Sequence, residues 1–288
     1  MIIFHILLPS LFKHILHYGL LMIKAALLDL DGTLFVGKTA IPGAVQTLGT
    51  LRSNGVKVFF LTNASTRNRK STAEKLKGLG FIANESEIFC SSYMVADYIA
   101  TNHPGKTVFC VSEGGIQDEL SEKKIKMVDS EKADIIVVGL DRTLTYEKLA
   151  IAHKAIANGA LFLATNDDST FPVENGTLPG SGAMVAAVER STGKKALIIG
   201  KPNRYGIDLL LRENSLKKDE VIIVGDRLET DILTGKRNRI KSALVLTGVA
   251  KKEDLEKLKK SGKEKDMPDF VLDSVNDLMG LIKRLNSR

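Results

Sequence analysis

Four short polar clusters in this chain each close an apolar run. 23-IKAALLDL-30 brings Asp29, followed at once by Asp31 and Gly32; 56-VKVFFLTN-63 ends on Thr62 and Asn63; 195-KALIIGK-201 ends on Lys201; 220-EVIIVGD-226 ends on Asp226. Residues two apart on a strand point to the same side, so Asp29 and Asp31 can face one phosphate together. One carboxylate can attack phosphorus while the other protonates the leaving oxygen. Gly32 lets the chain turn tightly and bring backbone N–H groups close to that phosphate. Two anions facing an anionic substrate need cations. A Mg²⁺ held by Asp29 and Asp226 would supply one and Lys201 the other, with Thr62 adding a hydroxyl donor.

The same opening stretch carries two other patterns. Residues 32–39, GTLFVGKT, fit the P-loop spacing G-x-x-x-x-G-K-[ST]. A P-loop folds successive N–H groups into an anion nest with a helix starting near the Lys. Here the four free positions are Thr-Leu-Phe-Val, bulky and β-prone; Pro42 and Gly43 delay the helix; Asp29 and Asp31 would repel bound phosphates. A calcium loop wants Gly at its sixth position and Glu at its twelfth, where this chain has Leu34 and Ala40. Neither reading fits, and the carboxylate reading remains.

Elements must hold these clusters in place. Short apolar runs at 23–30, 56–61, 107–112, 133–139, 160–165, 195–200, 220–225 and 243–246 read as strands. Amphipathic stretches at 43–53, 67–79, 92–101, 115–121, 145–158, 181–192, 204–213 and 229–236 read as helices. This alternation predicts an α/β fold with a doubly wound parallel sheet. Ligands of such sheets bind outside the carboxyl ends of the strands, which is where the clusters lie.

Taken in order, 29-DLDGTL-34, 61-LTNAS-65, 200-GKPN-203 and 225-GDRLETDI-232 resemble the four motifs of the haloacid dehalogenase-like (HAD) hydrolases, subfamily IIA, in the NagD-like or p-nitrophenylphosphatase-like branch. The resemblance covers nearly all of the chain after Met22. It implies a Rossmann-like HAD core at 22–101 and 196–288, with an inserted α/β cap at 102–195. It also implies that Asp29 is the nucleophile, becoming an aspartyl phosphate, and that Asp31 is the general acid, its backbone carbonyl on Mg²⁺. Thr62 and Asn63 would bind phosphate, together with Gly32 and Lys201, and Lys201 would also orient Asp29. Asp226 would ligate Mg²⁺, and Asp231 would either hold a metal-bound water or position Lys201. Asn166, Asp168 and Thr170, within 165-TNDDSTFPVENGTLPGSG-182, are candidates to touch the leaving group. Gly180 and Gly182 open a helix whose N–H groups could face an anion. A departure from the family pattern stands at Asn238 and Arg239, where a small Ala-Gly pair is expected.

The expected activity is therefore a Mg²⁺-dependent phosphatase of small phosphomonoesters: a sugar phosphate, phosphoglycolate, pyridoxal phosphate or a nucleoside monophosphate. Two alternatives stay open, a phosphotransferase using the same aspartyl phosphate and a phosphate-ester binding protein without turnover. A homodimer is a further implication of the resemblance.

Composition narrows the partners. The formal charge is +7 over 288 residues, but much Lys lies in stretches such as 251-KKEDLEKLKKSGKEKD-266, which also carry acids and lack aromatics. That is a solvated face and no nucleic-acid platform. Cys90 and Cys110 show no C-x-x-C spacing and read as free thiols of a reducing cytoplasm. None of the five histidines sits beside a candidate nucleophile. Residues 1–21 are apolar but broken by Pro9, Lys13 and three His, so they read as an upstream extension of the true start at Met22, with no stable membrane insertion expected.

Overall fold

The structure is a computed structural model that describes residues 22–173 and 176–287. The expected extension at 1–21 lies outside the described residues.

The strands are β1 (Ala25–Leu28), β2 (Phe35–Val36), β3 (Thr39–Ala40), β4 (Lys57–Thr62), β5 (Ile88–Cys90), β6 (Val108–Val111), β7 (Ile135–Val138), β8 (Leu161–Ala164), β9 (Thr170–Val173), β10 (Gly176–Pro179), β11 (Leu197–Ile198), β12 (Val221–Gly225), β13 (Lys241–Val245) and β14 (Phe270–Leu272). Six form one parallel sheet in the order β14-β13-β12-β1-β4-β5, and four form a second parallel sheet in the order β11-β8-β7-β6. Strands of such sheets are covered on both faces and become continuous apolar runs, as in the fully buried AALL of β1 and VIIVG of β12.

β1 lies between β12 and β4, so the carboxyl ends of the first and second motif strands are neighbours, with the fourth beside them. The second sheet turns its own carboxyl ends toward this edge. The Leu140 N–H, just past β7, donates to Ser65 Oγ at 3.2 Å. The Asn166 amide, past β8, donates to the Asn63 carbonyl at 2.8 Å. Gly115 opens the helix Gly115–Glu122 against the loop after β4, where an added Cβ would stand 2.6 Å from the Thr66 carbonyl carbon.

Several expected elements differ. The strand expected at 195–200 shortens to β11 and pairs with β8 in the second sheet. We therefore propose that the inserted unit runs through Ile198, past the boundary expected at 195. The helix expected at 229–236 begins as a five-residue π-type turn, Leu228–Ile232, before the α-helix Leu233–Asn238. Arg239 closes that helix at φ 57°, a left-handed conformation in which a non-Gly residue costs about 1–2 kcal/mol. The stretch containing the P-loop pattern is a hairpin: Val36 pairs with Thr39 across a two-residue turn, Gly37-Lys38. It forms no anion nest. β9 and β10 make a second hairpin where a loop is expected.

Candidate active site

The carboxyl ends of β1, β12 and β11 bring four charged side chains together. The Lys201 ammonium donates to Asp29 Oδ1 at 2.5 Å and to Asp231 Oδ1 at 2.6 Å. Asp29, Asp226 and Asp231 each offer a carboxylate oxygen within 4.8 Å of the others. Lys201, Asp226 and Asp231 are buried and Asp29 is nearly so. Burial works against the Lys201 charge, but Asp231 and Asp29 outweigh it and hold the ammonium above its ordinary range. Burial also raises the Asp29 carboxyl well above the usual range, with Asp231 and Asp226 adding to it and Lys201 opposing. Burial, then Asp231, raises Asp226 to about 6.

The local chain geometry is built around Asp226. Its Oδ2 accepts from the Val249 N–H at 2.7 Å. Gly32, at φ 82°, packs on it so closely that a Cβ would stand 2.7 Å from its Cγ. Gly248 approaches from the other side. The Gly32 N–H donates to the Phe35 carbonyl at 2.8 Å, so that group is spent inside the turn.

Asp226 Oδ1 is buried and, among the described residues, has no hydrogen-bond partner. An orphaned buried carboxylate oxygen costs several kcal/mol unless a cation meets it. Three carboxylates here face one ammonium, and an all-oxygen donor set suits a hard divalent cation. The residues fit Mg²⁺.

Asp231 contacts Lys201. Both its oxygens are occupied, Oδ1 by the ammonium and Oδ2 by the Arg227 N–H at 3.2 Å. The π-type turn sets this placement, and Gly225 makes room, since a Cβ there would overlap the Asp231 carboxyl.

Asp31 stands apart at the rim, its side chain 46% exposed and 3.9 Å from Lys75 Nζ. The protein around it raises its carboxyl, with Lys75 and then Arg227 opposing. Thr62 is buried, its Oγ1 accepting from the Ala64 N–H at 3.1 Å. Asn63 contacts Lys201 through its side chain: Oδ1 accepts from the Lys201 N–H at 2.8 Å and Nδ2 donates to the Lys201 carbonyl at 3.1 Å.

From the second sheet, Asn166 and Asp168 reach the site and Thr170 does not. Asn166 is buried between Asn63, Thr165 and Ser181. Asp168 accepts from Asn63 Nδ2 at 3.1 Å. Thr170 is exposed at the start of β9. The N–H groups of Gly180 and Gly182 donate to the carbonyls of Ser169 and Asp168, so they are not free for an anion.

Sequence reasoning missed Ser65, Lys75, Arg227, Thr247 and Gly248. Thr247 Oγ1 donates to the Gly32 carbonyl at 2.6 Å. A signal for Gly248 existed, because 243-ALVLTG-248 is another apolar run closing on a polar turn at a strand's carboxyl end.

Residues 26–126 match the haloacid dehalogenase-like hydrolase family, and residues 198–278 match a second, HAD-hydrolase-like family. The chain is 38% identical over 234 residues to the acid sugar phosphatase of Staphylococcus saprophyticus, covering 81% of this chain and 90% of that one. It superposes on the 4-nitrophenylphosphatase of Thermotoga maritima with a TM-score of 0.85 at 31% identity, covering 92% of this chain and 100% of that one. For NagD of E. coli K-12 the TM-score is 0.80 at 30% identity, covering 89% and 98%. The chain belongs to the haloacid dehalogenase-like hydrolases. Within them it is a phosphoric monoester hydrolase of the NagD-like, p-nitrophenylphosphatase-like branch.

Proposed function

We propose that the enzyme hydrolyses small phosphomonoesters through phosphorylation of Asp29, with Mg²⁺ as its metal. The observation that carries this reading is the Lys201 ammonium held between Asp29 and Asp231 beside the orphaned Asp226 Oδ1.

Asp29 is the one carboxylate of the cluster with access to the cleft, and its Oδ1 is oriented by Lys201. Its other oxygen attacks phosphorus, and the ester oxygen leaves on the opposite side. Asp31, two residues on, sits at the rim where that leaving oxygen emerges. Burial by the surrounding protein raises its carboxyl, in the direction that suits a general acid. The resulting alcohol departs, and Asp31, now ionised, takes a proton from the water that cleaves the aspartyl phosphate. Mg²⁺, held by Asp29 and Asp226 with the Asp31 carbonyl, would neutralise charge on the phosphoryl oxygens. Lys201 adds a second fixed positive charge, and the Thr62 hydroxyl a donor.

Loops of the second sheet pack against the loop after β4 beside the site, which favours a small leaving group over a protein. The relatives' names favour a sugar phosphate among the candidate esters. We place the reaction in the cytoplasm, in keeping with two free cysteines. Among the described residues no helix is long and apolar enough to cross a membrane.

The test is phosphate release from p-nitrophenyl phosphate by protein started at Met22, with Mg²⁺ and with EDTA. Release is expected only with Mg²⁺ and is lost in Asp29→Asn. Metal-independent release, or turnover that survives Asp29→Asn, would overturn the reading.

A further inference from the structure

Asp168 stands where a residue that touches the leaving group is expected, yet its carboxylate is engaged inward. Both oxygens face the Asn63 amide nitrogen, at 3.3 and 3.1 Å. The same amide holds the backbone of Lys201 from both sides, accepting from its N–H and donating to its carbonyl. Every donor and acceptor of the Asn63 side chain is thereby placed. A carboxylate can only accept, so Asp168 pairs with Nδ2 and with no other atom of that amide. It therefore reinforces the amide orientation that the Lys201 N–H and carbonyl require, in which Oδ1 meets the Lys201 N–H. Rotated by half a turn, the amide would present N–H to N–H at Lys201 and oxygen to oxygen at Asp168.

The loop that carries Asp168 is itself tied to the same residue. The Asn166 amide donates to the Asn63 carbonyl at 2.8 Å, and its Oδ1 accepts from the Asp168 N–H at 3.1 Å. Gly200 leaves the space that the bracket occupies, since a Cβ there would stand 2.6 Å from Asn63 Oδ1. The loop after β8 cannot leave the site without breaking its bonds to Asn63, the residue that brackets the backbone of Lys201.

We propose that Asp168 is a positioning residue: through the Asn63 amide it fixes the Lys201 backbone, so that the catalytic lysine is set only when the loop after β8 is seated. The proposal rests on the phosphatase reading for its kinetic consequence. It assigns Asp168 to the rate of the chemical step and not to recognition of the ester.

The test compares Asp168→Ala, Asp168→Asn and Asn63→Ala with the wild type on two esters, p-nitrophenyl phosphate and glucose 6-phosphate. Hydrogen exchange of the Lys201 amide is followed by mass spectrometry on the same proteins. Asn63→Ala is expected to lower kcat by roughly 10- to 100-fold, the scale of an ångström-sized misplacement. Asp168→Ala is expected to lower kcat by roughly tenfold on both esters with KM within about twofold, and to speed exchange at Lys201. Asp168→Asn, whose Oδ1 still accepts, should restore most of the rate. Asp168→Ala added to Asn63→Ala should cost nothing further.

An Asp168→Ala effect confined to KM, or different for the two esters, would make Asp168 a leaving-group contact and overturn the proposal. So would unchanged exchange at Lys201, or faster exchange with full kcat. Were the wild type to turn over neither ester, the phosphatase reading would fall, and the exchange measurement would still decide the bracket.

Discussion

Gly248 offers a way to disturb the metal site without touching a charged residue. Its φ lies outside the left-handed region, so an alanine there meets no backbone strain and acts by contact alone. The added Cβ would stand 2.5 Å from Asp226 Cγ and 2.6 Å from Asp226 Cβ, and closer still to Oδ2. Carbon atoms normally rest about 3.5–4.0 Å apart, so the carboxyl group must retreat by roughly 1–1.5 Å. That shift breaks the 2.7 Å bond from the Val249 N–H and turns Oδ1 away from the cation it would meet. Disturbing the groups that orient a metal ligand typically costs 10- to 100-fold in affinity. Gly248→Ala should therefore raise the half-saturating Mg²⁺ concentration about 10- to 100-fold, with partial recovery of rate at high Mg²⁺. The assay is p-nitrophenyl phosphate turnover against Mg²⁺ at 20 °C, with thermal melting to show that the protein is folded. Gly37→Ala is the opposite case and the control: Gly37 has a left-handed backbone, φ 60°, but nothing lies within 4 Å of its added Cβ. It should lose about 1–2 kcal/mol of stability and keep its Mg²⁺ dependence. A folded Gly248→Ala enzyme with unchanged Mg²⁺ half-saturation would refute the assignment of Asp226 to the metal.

Lys38 lies exposed at the tip of the β2–β3 turn, so Lys38→Ala should leave turnover within a few-fold; loss of activity in that variant alone would revive a nucleotide-binding role for the stretch. Lys148→Met removes the ammonium that meets the fully buried Asp141 side chain at 2.7 Å, a charge-assisted bond of roughly 1.5–3 kcal/mol. Burial would raise Asp141, but the Lys148 and Thr143 hydrogen bonds outweigh it and lower the pKa below 3.8. A depressed carboxyl contributes stability above its unfolded pKa and loses it as pH falls through the folded value. The urea-midpoint gap between wild type and Lys148→Met should thus be full at pH 7 and narrow below pH 3.8; a gap that holds constant down to pH 3 would rule out the ion pair as its source.

The sequence made Asp29, Lys201 and Asp226 legible because each closes a run of β-prone residues, and such runs end on one edge of a parallel sheet. Asp29, Lys201 and Asp226 needed no knowledge of side-chain packing to be found. Asp231 was harder: its use depends on a π-type turn that no helical periodicity announces. β5 and β14 have three residues each, too few for a pattern to register. The Asn63–Lys201 bracket joins positions 138 residues apart, and only the packed loops of the two sheets reveal it. The hairpin of β9 and β10 was hidden by turn-rich residues that read as solvent loop.

The central position of β1 bears on how the chain folds. Ala25 pairs with Lys57 on one side and with Val221 on the other. During synthesis, β1, β4 and β5 can associate early, but the second flank of β1 stays open until β12 has left the ribosome. In that interval a fully apolar strand presents unpaired N–H and C=O groups, the kind of edge that recruits other chains. β6, β7 and β8, by contrast, are consecutive and pair with one another, so the inserted unit can fold from nearby contacts while the first sheet waits. The domain that carries the chemistry is therefore the last to close, and its vulnerable moment in the cell comes before it has a site to protect.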